Sequence, residues 1–250
     1  MNRHLQIVPM VAMWVAVIAC VGCDRAPGYP QKSAEVQRPE AVLDFQTLYT
    51  SNCAGCHGQN GQNGAALPLN NPAYLAVAGK DALQTTIAKG MSGTLMPPFA
   101  KSSGGMLTDQ QVAQLAQGIL QTWGRPAQFA GVDLPAYANG PSGNIANGQK
   151  AFATACARCH GADGMGLKQG DKTSTTTRSS IADPNYLALV SDQTLRSFIL
   201  GGRPDEAMPD WRTDIDAPSR ALTSQEITDI VAWLASHRTP AAAPIPEQHP

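Results

Sequence analysis

The chain has 250 residues, a formal net charge of −1 and only 15% charged residues. That balance excludes the basic footprint expected of a nucleic-acid-binding protein, and the length leaves room for two domains of ordinary size. With 23 glycines and 19 prolines among so few charges, the composition suits small, loop-rich domains whose cores form around a large apolar ligand.

Residues 1–22 read as a signal peptide. Arg3 is the charged start, and Leu5 to Gly22 is an apolar run interrupted by Gln6 and Pro9 and ending in small residues and cysteine. A cysteine at the first mature position makes this a lipoprotein-type leader, and two cysteines compete for the place. Val17-Ile18-Ala19-Cys20 resembles the lipobox more closely. Cutting before Cys23 instead leaves one cysteine for lipid and four in pairs with none over, and Asp24 suits a residue just past cleavage. Cys23 is favoured, with Cys20 as the alternative. Acyl chains there would hold the protein at the membrane, each buried CH₂ adding about 0.8 kcal/mol. An uncleaved transmembrane anchor is the other reading, since the run is at the short edge for a span. Either way the mature chain is expected on the periplasmic face of a bacterial inner membrane.

Residues 23–40 are polar, contain Pro27, Pro30 and Pro39, and read as a flexible tether. The stretch 41–123 follows, then a Gly/Pro/Ala-rich linker at 124–147, a second stretch at 148–238, and a disordered Pro/Ala tail at 239–250. Helices at Leu43 to Cys53 and Gly148 to Cys156 lead into Cys53-Ala54-Gly55-Cys56-His57 and Cys156-Ala157-Arg158-Cys159-His160. Each is Cys-x-x-Cys-His, the attachment pattern for c-type haem. Two thiols three residues apart at a helix end can both reach the vinyl groups on one edge of a porphyrin. The next histidine then swings its imidazole under the iron. Two Cys-x-x-Cys pairs could instead build one four-thiolate zinc site, but that leaves both adjacent histidines unexplained. A thioredoxin-like redox motif needs a βαβ context the chain does not offer. Disulfides between residues three apart would staple nothing distant.

The two stretches are repeats that align piecewise. The offset is 103 around the haem motifs, 112 from Pro72 onto Pro184 through Met96 onto Met208, and 115 from Leu107 onto Leu222. The nine extra residues of the second repeat fall in a Ser/Thr-rich loop around 168–180, solvated or touching a partner. Leu83/Ile87 and Leu195/Ile199 mark one helical face in each repeat, and Gly90 and Gly202 suit the left-handed residue that closes such helices. Thr108-x-x-Gln111 and Thr223-x-x-Glu226 are capping boxes. They start helices with apolar faces Val112/Leu115/Ile119 and Ile227/Ile230/Leu234. No stretch alternates as a strand would. Of eight methionines, only Met96 and Met208 face each other in the repeat register. Both precede proline, which favours an extended backbone suited to pressing a thioether onto iron. A His/Met pair fills both axial positions and raises the potential. A ligating histidine also needs an acceptor for its other N–H, which the Leu67-Pro68 stretch can supply for His57. His237 and His249 read as solvent-facing.

These residues resemble class I cytochrome c in tandem. The pattern Gly-x-x-x-aromatic-x-x-x-Cys-x-x-Cys-His is met by Gly148, Phe152, Cys156, Cys159 and His160, whereas the first repeat has Phe45 in the glycine position and Tyr49 as its aromatic. The resemblance covers 41–123 and 148–238 and implies an all-α fold around two covalently bound haem c groups. They would be attached at Cys53, Cys56, Cys156 and Cys159, with axial pairs His57/Met96 and His160/Met208. It implies an electron carrier, not an enzyme, passing single electrons between a redox donor and acceptor, such as a membrane respiratory complex. The alternatives are a fixed cytochrome subunit of a larger dehydrogenase or oxidase, and a di-haem peroxidase, which the two Met-Pro loops argue against. Residues 41–123 carry six charges against 21 in 148–238, and a charge-poor surface suits a permanent interface. The resemblance also implies that the helix before each haem motif crosses the last helix. Gly148 would then face Trp233 in the second repeat, and Phe45 would face Gly118 in the first.

Overall fold

A computed structural model of the protein describes residues 37–140, 142–167, 180–212 and 220–239. The leader with Cys20 and Cys23, the tether up to residue 36, most of the 168–180 loop and the tail from 240 lie outside the described residues. Among the described residues the fold is all helical, with isolated bridges at Ala100–Leu107 and Arg203–Met208 and no strand. No described helix is long and apolar enough to cross a membrane.

The first domain contains α1 (Phe45–Asn52), α2 (Ala54–His57), α3 (Pro72–Lys89) and α4 (Asp109–Trp123). The second contains α5 (Ile145–Ala155), α6 (Ala157–His160), α7 (Pro184–Leu189), α8 (Asp192–Gly201) and α9 (Ser224–Ala235). The repeat is visible in the elements. Helix α3 breaks at Gly79, whose φ is 63°, so its halves correspond to α7 and α8; Ser191, the residue in register with Gly79, is the N-cap of α8. Both capping boxes form, Thr108 with Gln111 and Thr223 with Glu226, each threonine hydroxyl accepting the glutamine or glutamate N–H while that side chain returns to the threonine N–H. The helices they start bury the expected faces: Val112, Leu115 and Ile119 in one, Ile227, Ile230 and Leu234 in the other. Helix α5 begins at Ile145, capped by Asn144, three residues earlier than Gly148.

The segment between the domains is mostly exposed but is anchored at two buried residues. Phe129 and Pro135 are buried, and Phe129 stacks on Trp211 at 6.2 Å between centroids. Arg196 is wholly buried and holds the segment down. Its Nε and Nη2 donate to Ala136 O at 3.0 and 2.7 Å, and its remaining donors reach Thr228 Oγ1 at 3.0 Å and Ser224 Oγ at 2.8 Å. A buried guanidinium is tolerated only when its fork of donors is satisfied, and here neutral oxygens do it. Ala73 of α3, Phe129, Leu200, Trp211 and Ile227 then form one buried cluster shared by both domains and the segment between them.

Candidate haem sites

Each Cys-x-x-Cys-His turn sits on a helix that its domain core holds fast. In the first domain Tyr49 is buried, its hydroxyl donates to Gly58 O at 2.8 Å, and its ring meets Trp123 edge-on at 5.0 Å. Phe152 occupies the same register position in the second domain and meets Trp233 at 4.3 Å. Cys53 packs against the first core and Cys156 against the second. None of the four cysteines is paired in a disulfide. No three His, Cys, Asp or Glu side chains among the described residues converge as a metal cluster, so the four-thiolate zinc alternative finds no geometry. As thiols, before haem is attached, Cys53 and Cys156 are pushed up to about 12 by burial and then by the neighbouring thiol.

The histidine of the first motif is oriented as the sequence suggested. His57 Nδ1 lies 2.8 Å from Leu67 O. Burial holds His57 below the usual imidazole range, against a smaller opposing effect of that hydrogen bond. A neutral ring donating from Nδ1 presents Nε2 with its lone pair free for a metal.

The two methionines are carried by loops of one geometry. Gly90 and Gly202 both have φ of 67°, with ψ of −170° and −172°. The positive φ was expected, but the extended ψ is not that of a left-handed helical cap. The demand for glycine is steric. A Cβ at Gly90 would stand 2.6 Å from Met96 O, and one at Gly202 would stand 2.5 Å from Met208 O. The next residue in each case, Met91 or Arg203, donates its N–H to that methionine carbonyl at 3.1 or 2.9 Å. Met96 packs on the first core. Met208 lines a cavity of about 810 Å³ together with Cys156, Cys159, His160 and the apolar Ile199, Ile230 and Leu234.

That cavity suits a haem. Its size lies within the range of cofactor-sized sites, roughly 300–1,000 Å³. Into one largely apolar space it brings two thiols for covalent attachment, an imidazole and a thioether. The sequence alone overlooked Trp123, the aromatic partner of Tyr49. It stands five residues beyond the position aligned with Trp233, so repeat register points away from it.

Residues 40–117 match the family model described as cytochrome c oxidase, cbb3-type, subunit III, and residues 145–238 match that for cytochrome c. A cytochrome c from Sesamum indicum is 30% identical over 105 residues, which span 38% of this chain and 90% of that protein. The chain belongs to the cytochrome c family. It consists of two tandem cytochrome c domains with two covalently bound haem c groups. The cytochrome also resembles the cbb3-type cytochrome c oxidase subunit FixP of Sinorhizobium medicae, at 31% identity over 52% of this chain and 42% of that one. Subunit CcoP of Rubrivivax gelatinosus is 30% identical over 52% of this chain and 37% of its own length. The chain thus spans about two fifths of the oxidase subunits it matches.

Proposed function

We propose that this cytochrome is a membrane-tethered relay on the periplasmic face of a bacterial inner membrane, moving single electrons between a donor and an acceptor through two haem sites. Cys53 and Cys56 hold the first haem and Cys156 and Cys159 the second. His57 with Met96, and His160 with Met208, are the axial pairs. Bound haem supplies the one-electron iron couple. The protein residues attach it, fix its ligands and exclude water. The observation that carries the reading is the shared loop geometry at Gly90 and Gly202, each clamping a methionine by its carbonyl in one conformation. A relay with two filled irons needs a thioether in both domains, whereas a peroxidase needs one open position. The lipid anchor at Cys23, or at Cys20, rests on the leader.

The test is spectroscopic. The ferric protein should be low-spin and show the methionine–iron charge-transfer band, falling by half in Met96→Ala and by half in Met208→Ala. A high-spin wild-type signal with rapid peroxide turnover would replace the relay with the peroxidase. The mature N-terminus should be a lipidated cysteine; retention of residues 1–19, or any other first residue, removes the lipid anchor.

A second reading has its own support. The first domain is the one that matches the oxidase subunit model. It carries six charges and exposes Leu95 and Met106. These favour the first domain as the side by which the cytochrome is fixed to a larger oxidase or dehydrogenase complex. Purification from native membranes in mild detergent separates the two: a stoichiometric membrane partner supports the fixed subunit, and a free cytochrome supports the shuttle.

A further inference from the structure

The two repeats differ at one buried contact in a way that neither domain needs for itself. Asn71 caps α3, its Oδ1 accepting the Tyr74 N–H at 3.0 Å. At the same register position Asp183 caps α7, accepting from Asn185 and Tyr186. An aspartate would therefore serve α3 equally well as a cap. Asn71 also does what a carboxylate cannot. Its Nδ2 donates to Gly201 O at 2.8 Å, 130 residues along the chain at the end of α8. Asn71 is 1% exposed, so this bond is made away from water.

The acceptor departs from its counterpart too. Gly201 aligns with Lys89 of the first repeat. A Cβ at 201 would stand 2.9 Å from both Asn71 Nδ2 and Tyr74 Cβ. One partner has gained a donor and the other has lost a side chain, and both changes serve the same contact. Its flanks, Ala73 and Leu200, lie in the buried cluster shared by the domains.

Each end of the bond leads to a ligand loop. Four residues before Asn71, Leu67 accepts from His57. Two residues after Gly201, Arg203 exchanges both backbone hydrogen bonds with Met208, each 2.9 Å. We propose that Asn71 is a positioning residue that holds the His57 loop of the first domain against the Met208 loop of the second, and so sets the separation across which electrons pass between the two haem sites. This rests on the relay reading above.

The test uses the full holoprotein and two variants that touch no haem-holding residue. Asn71→Asp keeps the cap, loses the donor and sets a carboxylate against the Gly201 carbonyl. Gly201→Ala wedges the contact apart without adding charge. Two readouts are taken: protease cleavage within 124–147, and the rate of electron equilibration between the haems after one is photoreduced. Both variants should keep two haems and the wild-type absorbance spectrum. Cleavage should rise about tenfold to a hundredfold, the change expected when a buried carbonyl loses its donor. Equilibration should become slower and multiphasic. Wild-type equilibration in both variants overturns the assignment, even if the intervening segment is cut faster. So does a Gly201→Ala protein that matches wild type in both readouts. Absence of equilibration in the unsubstituted protein is a different failure, because it removes the relay itself and is seen before any substitution is made.

Discussion

In the first domain the crossing of α1 and α4 is filled by a ring; in the second, the crossing of α5 and α9 is closed by backbone. A Cβ at Gly118 would meet Phe45 Cδ2 at 2.1 Å, so the small residue on α4 receives the phenyl ring of α1. A Cβ at Gly148 would meet Asp229 O at 1.9 Å and Trp233 Cβ at 2.9 Å. Both expected pairs touch, but Gly148 makes room chiefly for the partner helix itself. The Trp233 ring lies elsewhere, on Phe152 and toward Gly164, whose ideal Cβ would be 3.5 Å from its Cη2. In the first domain Trp123 serves that second purpose, against Tyr49 and Gly61. What the repeat preserves is an indole between an aromatic and a glycine; which residue of the last helix provides it has changed. Close-packed interiors enforce filled volume and leave open which chain position fills it.

The largest effect should come from emptying the filled crossing. Phe45→Gly should destabilise the first domain by about 3 kcal/mol, at the lower end for a lost phenyl because Phe45 is only partly buried. Gly118→Trp should overpack it by roughly 1–3 kcal/mol or more. Combined, the two should rescue one another in part, with a coupling of about 0.5–3 kcal/mol in denaturant titrations. Rescue stays incomplete because Trp123 already occupies the indole position. Replacing Trp123 as a third change should improve the swapped protein while harming the wild type. Strict additivity of Phe45→Gly and Gly118→Trp would break the comparison.

A smaller effect separates the two glycines. Gly148→Ala drives a methyl into the backbone of α9, which cannot yield, and should cost about 2–3 kcal/mol. Gly118→Ala meets a ring that can turn aside, and should cost about 1 kcal/mol. Thermal unfolding of the two variants side by side gives the order, and a reversed order would mean that the crossings are packed alike.

The smallest difference lies in the capping boxes. Arg220 hydrogen-bonds Glu226 and, with the Thr223 contacts, draws its carboxyl down from 4.5 to about 2. A folded-state value below the unfolded one adds stability that is complete above about pH 4.5 and is lost as pH falls toward 2. The ion pair is solvent-screened, Arg220 being 69% exposed, so the loss should be about 1 kcal/mol. Gln111 holds the same position in the first domain and does not titrate. Acid titration of stability should therefore show this component in wild type and lack it in Glu226→Gln.

The sequence by itself determined the parts whose chemistry is local. Cys-x-x-Cys-His needs only one helical turn, a capping box spans four residues, and the Met-Pro loops close within seven residues of Gly90 and Gly202. A carbonyl near Leu67 for His57 was legible for the same reason: the loop is short and proline limits its course. The tertiary structure alone decided that Trp123 takes the indole position, that Arg196 clamps the segment between the domains, and that Asn71 reaches Gly201. These contacts join residues about 60 to 130 positions apart, and each depends on the volume and hydrogen-bonding groups left over when two helices meet. Local propensity carries no information about that remainder, which exists only once both surfaces are built.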